Sequence, residues 1–108
     1  MEQDYIVIHD QSENGMIAVN KSVFKAISEI SIDDIENAIQ MKESRFVKPL
    51  SVKIDHNKLI IEADIKVKFG ANVNATCELV QNKIYENVLF MTGFKAHEVT
   101  VNVVGFDI

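Results

Sequence analysis

Residues 68–106, KFGANVNATCELVQNKIYENVLFMTGFKAHEVTVNVVGF, decide the fold. An alternating strand runs into Gly70, a helical stretch follows, and Val99, Val101 and Val103 resume a two-residue period. Between them Val73, Cys77, Val80, Ile84, Val88 and Met91 recur at steps of three and four. That spacing lays one apolar stripe along five helical turns, and such a stripe needs a sheet to cover. Asn72 has the side chain that caps a helix start, and Gly93 offers the left-handed residue that ends one. The stretch predicts one β-α-β unit, with a right-handed crossover if its strands are parallel.

Working upstream, Leu50, Val52 and Ile54 alternate with Ser51, Lys53 and Asp55. Leu59, Ile61, Ala63, Ile65, Val67 and Phe69 alternate with Glu62, Asp64, Lys66 and Lys68. With His56-Asn57 as a two-residue turn, Ile54 faces Leu59 and Val52 faces Ile61, so both apolar sides coincide. One face of this hairpin is apolar and the other charged, which predicts a sheet covered on one side only.

Lys42–Pro49 reads as a loop, and Ile35–Ile39 as a short strand after the break at Asp33-Asp34. Val23, Ile27 and Ile30, flanked by Phe24, mark a helix over about 21–31 that Asn20 caps. Met16–Val19 precedes it as a short extended piece. Residues 1–14 are expected as a loosely ordered arm in which Tyr5–Ile8 can pair as an edge strand. Residues 15–108 then form a single α+β domain. It has one mixed sheet of four to five strands with two helices on one face, in the order β-α-β-β-β-α-β.

Composition narrows the function classes. The chain has 108 residues, 47% hydrophobic and 25% charged, which suits one soluble globular core. Its net charge of −5 argues against a phosphate backbone as principal partner. The acids concentrate in residues 1–40, whereas residues 41–70 carry seven bases against four acids. That basic middle suits acidic partners or lipid headgroups, although lysines on the solvent side of a sheet explain it more simply. Cys77 stands alone, so no intrachain disulfide framework exists and a reducing compartment fits. The N-terminus, MEQDYIVIHDQSENG, lacks the basic stretch and apolar run of a secretory signal, and no apolar stretch nears bilayer-spanning length. A cytoplasmic location is expected.

No constellation for catalysis emerges. His9, His56 and His97 fall in the arm, a turn and a loop, without metal-ligand spacing. Asp33, Asp34 and Glu36 lack the calcium-loop pattern, and helix termination accounts for them more simply. Cys77 lies on the apolar stripe and reads as a small core residue. Gly15, Gly70, Gly93 and Gly105 are isolated, so there is no phosphate-cradling loop. The eight aromatics show no interleaving with arginine of the kind RNA-binding surfaces use. We expect no catalytic residues, no cofactor and no metal.

Three blocks carry a family resemblance. Gly15-Met-Ile17-Ala-Val19-Asn-Lys-Ser-Val23 is similar to a G-x-I-x-V-x-x-x-V opening, and Phe69-Gly70 to an aromatic-Gly step. Val80-Gln81, Met91-Thr92-Gly93 and Val99–Phe106 follow in matching order. The chain resembles the alkaline shock proteins of Gram-positive bacteria, also called Gls-type envelope stress response proteins. It departs at Asp33-Asp34-Ile35, where the family usually has a Gly-Val pair, and lacks the longer charged tail of some members after Ile108.

The resemblance implies a cytoplasmic non-enzyme of the stress response, peripheral to the cell envelope through a separate membrane-anchored protein. The expected function is a protein-interaction or scaffold module at the inner side of the envelope. The partner face would be Lys53, Glu62, Asp64, Lys66 and Lys68, or the exposed side of a helix. The alternative implied by other members is a regulator of a metabolic enzyme or pathway, such as fatty acid synthesis through acetyl-CoA carboxylase. Such a regulator would need an apolar pocket, for instance between the second helix and the sheet. Self-association through the 99–106 strand is open.

Overall fold

A computed structural model describes residues 2–8 and 15–108. The elements are β1 (Glu2–Gln3), β2 (Tyr5–Ile8), β3 (Ile17–Asn20), α1 (Lys21–Asp33), β4 (Ala38–Gln40), β5 (Leu50–Asp55), β6 (Lys58–Lys68), α2 (Val73–Thr92) and β7 (Glu98–Asp107). The class is α+β, as the alternation and helical periods predict.

The β5–β6 hairpin has the expected register, with Val52 opposite Ile61 and Ile54 opposite Leu59. His56 and Asn57 take φ of +50° and +58°, the left-handed pair that a two-residue turn matched to strand twist requires. β6 is the central strand. Leu59, Ile61, Ala63, Ile65 and Val67 are fully buried along one side of it, and Glu62, Asp64, Lys66 and Lys68 alternate on the other. β7 runs parallel to β6 along one edge, as the β-α-β reading requires. The pairing skips Val104, a bulge that sets Gly105 beside Lys66 and Phe106 beside Val67. Phe106 meets Phe69 edge-to-face at 6.1 Å, closing that end of the sheet.

The other edge of β6 is shared. β5 pairs with its first half and β4 with its second, and Gln40 and Leu50 lie opposite Ile65 and Ala63. β4 and β5 thus occupy one lane, interrupted by residues 41–49. Asp64 donates its N–H to Pro49 O at 2.7 Å, which fixes the point where the chain rejoins the lane.

The N-terminal part departs from the single-sheet expectation. β3 does not enter the five-stranded sheet; it pairs with β2 as a separate two-stranded ribbon, while β1 adds to β5. The arm is therefore tied down over residues 2–8. Ile6 is fully buried in the core, and Asp4 O accepts the N–H of Lys21 at the start of α1. Residues 9–14, with His9, lie outside the described residues.

Both helices start and stop where expected. Asn20 Oδ1 accepts from Ser22 N at 3.0 Å, Asn72 Oδ1 from Ala75 N at 2.9 Å, and Gly93 ends α2 at φ +73°. The buried face of α1, however, is rotated from its apolar stripe, whereas α2 buries the middle of its stripe and leaves the two ends less covered. α1 buries Phe24, Ile27, Ser28, Ser31 and Ile32, and leaves Val23 and Ile30 at 42% and 58% exposure. Ser28 and Ser31 donate their hydroxyls to Phe24 O and Ile27 O one turn back, so no polar group is left unmet. Small serines also admit α2 closely, and Asn87 Nδ2 reaches Ser31 Oγ at 2.9 Å. α2 buries Thr76, Val80, Ile84 and Val88; Cys77 is only half-buried and Met91 is 59% exposed. Cys77 is therefore not the core residue its spacing suggested.

Candidate interaction faces

The five charged residues singled out in the sequence do share one surface. Glu62, Asp64, Lys66 and Lys68 sit at two-residue spacing on β6, facing away from the helices. Lys53 joins them from β5, opposite Ile60. Asn102 of β7 donates to Asp64 Oδ1 at 3.0 Å, and a shallow depression of about 110 Å³ lies between Ser51, Lys53, Ile60 and Glu62. Gly105 leaves room for the Lys66 chain, whose Cε would stand 3.9 Å from a Cβ placed there. Among the described residues none of the five forms an ion pair. The face is a mosaic of both signs.

A second surface carries no site motif in the sequence. A cleft of about 510 Å³ opens where the ribbon meets the first turn of α1 and the last turn of α2. Ile8, Ile17, Val19, Val23 and Met91 line it, with Asn20 and Thr92 at its margin. Its walls are the G-x-I-x-V-x-x-x-V block and the Met-Thr-Gly block, brought together by folding. The only signal in the sequence is apolar periodicity, and periodicity marks a face without saying whether anything covers it. Under the middle of α2 the space is filled, with Val80, Ile84 and Val88 fully buried in one core with Ile61 and Ile65. A smaller cleft of about 180 Å³ lies at its edge, between Gln81, Asn82 and Tyr85 of α2 and the start of β7.

A third feature is the 41–49 loop and the cleft of about 380 Å³ it makes with Lys25 and Glu29 of α1. Glu43 binds Lys25 Nζ at 3.0 Å and Lys48 Nζ at 3.4 Å. The hydrogen bond and charge of Lys25 hold its carboxyl below the usual value against desolvation, and Lys48 adds in the same direction.

Two of the acids singled out in the sequence make contacts between elements. Asp33 accepts from Gln40 Nε2 at 2.9 Å, and Asp34 pairs with Lys83 at 3.4 Å, so these acids tie α1 to its neighbours. His56 is an exposed turn residue beside Asp55, and His97 is exposed ahead of β7. Among the described residues no three His, Cys, Asp or Glu side chains gather to hold a metal ion. Burial pushes the Cys77 thiol up.

A model of the alkaline shock protein family, described by its cell envelope-related function, matches residues 9–108. The chain belongs to the alkaline shock protein family. No curated protein matches it. Membership thus rests on nearly the whole chain, from the cleft walls to the parallel strand β7. Among the described residues no helix is long and apolar enough to cross a membrane.

Proposed function

We propose that this alkaline shock family chain is a non-catalytic protein-interaction module that acts as a scaffold at the inner side of the cell envelope. The observation that carries this reading is the apolar cleft between the ribbon and the helix ends. Ile17, Val23 and Met91 stand 51%, 42% and 59% exposed around it, although the domain has a complete core without them. Apolar side chains held in a pre-formed concavity next to the core suit an apolar anchor from a protein partner. The charged outer face of the sheet supplies orientation at its rim and little affinity of its own.

The test is affinity purification of the tagged chain from its host, with membrane and soluble fractions analysed separately. Wild type is expected to recover a membrane-fraction protein, and Val23→Glu and Met91→Glu to lose it. The Lys66→Glu/Lys68→Glu variant is expected to retain it. Retention by the cleft variants with loss by the lysine variant moves the contact to the outer face. Recovery of only soluble metabolic enzymes defeats the envelope-scaffold reading.

A further inference from the structure

We infer that the 41–49 loop is a peripheral contact for an anionic lipid surface, with Phe46 entering the interface and Lys42 and Arg45 meeting phosphate headgroups. The inference stands apart from the apolar cleft, since it rests on other residues.

The geometry begins with the interrupted strand lane. The loop leaves β4 opposite Ile65 and returns to β5 opposite Ala63. Its ends are therefore about 7 Å apart along β6, and nine residues must project outward between them. At the far end Ser44 N–H donates to Val47 O at 3.0 Å, and Val47 N–H to Ser44 Oγ at 3.2 Å. This closed turn puts Arg45 and Phe46 at the apex. Phe46 is 88% exposed and Val47 44%. An exposed phenyl ring at a convex tip covers nothing in this fold. It lines none of the clefts described above, and a lipid interface needs no concavity, because the headgroup layer deforms around an apolar side chain.

The charges complete the fit. The Arg45 guanidinium lies 5.6 Å from the Phe46 ring centroid, so the cation and the apolar group are presented together. The loop has three cations against one acid, and that acid, Glu43, is already held by Lys25 and Lys48. Among the described residues neither Lys42 nor Arg45 pairs with an acid. The chain is acidic overall at −5. Screening over about 8 Å at physiological salt nonetheless makes the local sign at the apex decisive for a surface that touches only the loop. An apolar tip in a collar of cations is complementary to anionic headgroups over acyl chains.

The experiment uses the whole chain and a probe it lacks, because the sequence contains no tryptophan. Phe46→Trp places the single indole at the apex. Vesicles of equal parts phosphatidylglycerol and phosphatidylcholine should shift its emission to the blue and sediment the protein; pure phosphatidylcholine should do neither. Lys42→Glu/Arg45→Glu should lower partition by about tenfold or more, and Phe46→Ser should weaken it with an unchanged circular dichroism spectrum. Absence of a shift on the anionic vesicles at low ionic strength overturns the inference, as does equal binding by the charge-reversal variant. A shift produced by poly-glutamate and not by vesicles overturns it in favour of an acidic protein segment.

Discussion

The Asn57 carboxamide binds both backbone groups of Val7, accepting its N–H at 3.0 Å and donating to its C=O at 3.2 Å. One side chain in the β5–β6 turn thus replaces a strand neighbour for β2. Asn57 also sits at φ +58°, a conformation asparagine tolerates better than most residues. Asn57→Gly preserves the backbone and removes both bonds, and we predict a loss of about 1–2 kcal/mol by urea unfolding. Amides of Tyr5–Ile8 should exchange faster in this variant. Asn57→Ala should lose about 1 kcal/mol more, because it adds left-handed strain. Full stability of the glycine variant would show that the ribbon needs no such pin.

The rotated face of α1 separates two isoleucines three residues apart. Ile27 is 2% exposed and Ile30 58%. Ile27→Ala should lower unfolding free energy by about 2–5 kcal/mol, and Ile30→Ala should stay within about 0.5 kcal/mol. Equal losses would put both residues in the core and contradict the buried serine face.

Cys77 is half-buried, with its thiol held above the ordinary value of 9.0 by desolvation. The thiolate is the reactive form, so alkylation by iodoacetamide should be slow at neutral pH and accelerate only above about pH 9. Rapid labelling at pH 7 would mean an activated cysteine that this helix does not supply.

The Glu43 carboxyl titrates below its ordinary value of 4.5, because Lys25 and Lys48 favour the charged form. A depressed carboxylate contributes stability that is present above the unfolded value and is lost as pH falls through the folded one. Glu43→Gln should therefore differ from wild type at neutral pH, and the two should converge as pH drops well below 4.5. Salt should shrink the same difference, since the pair is exposed. A difference that persists in acid would assign the role of Glu43 to its shape instead of its charge.

The candidate sites were legible to different degrees. Glu62, Asp64, Lys66 and Lys68 could be placed on one face because a strand alternates strictly, and Lys53 follows from the hairpin register. The apolar cleft could not be read this way. Val23 and Met91 carry the same periodic signal as Ile27 and Val88, and only the packing of the ribbon against the helix ends shows which pair stays uncovered. The loop was legible as a loop, but its closed turn and exposed apex were not. Both depend on where β4 and β5 meet β6.

By itself the sequence determined the features set by neighbours a few positions apart. These are the Asn20 and Asn72 caps, the Gly93 stop, the His56-Asn57 turn and the alternation that fixes the β5–β6 register. Each depends on the conformational preference of one residue or on a side-chain period. Tertiary structure decided which faces of α1 and α2 turn inward, that β3 joins β2 outside the main sheet, and that β4 and β5 share a lane. On α1 the inward face includes Ser28 and Ser31, whose hydroxyls are met by their own helix, while Val23 and Ile30 stay exposed. Burial is a property of the assembled packing, and the hydrophobic pattern of one segment supplies only candidates for it.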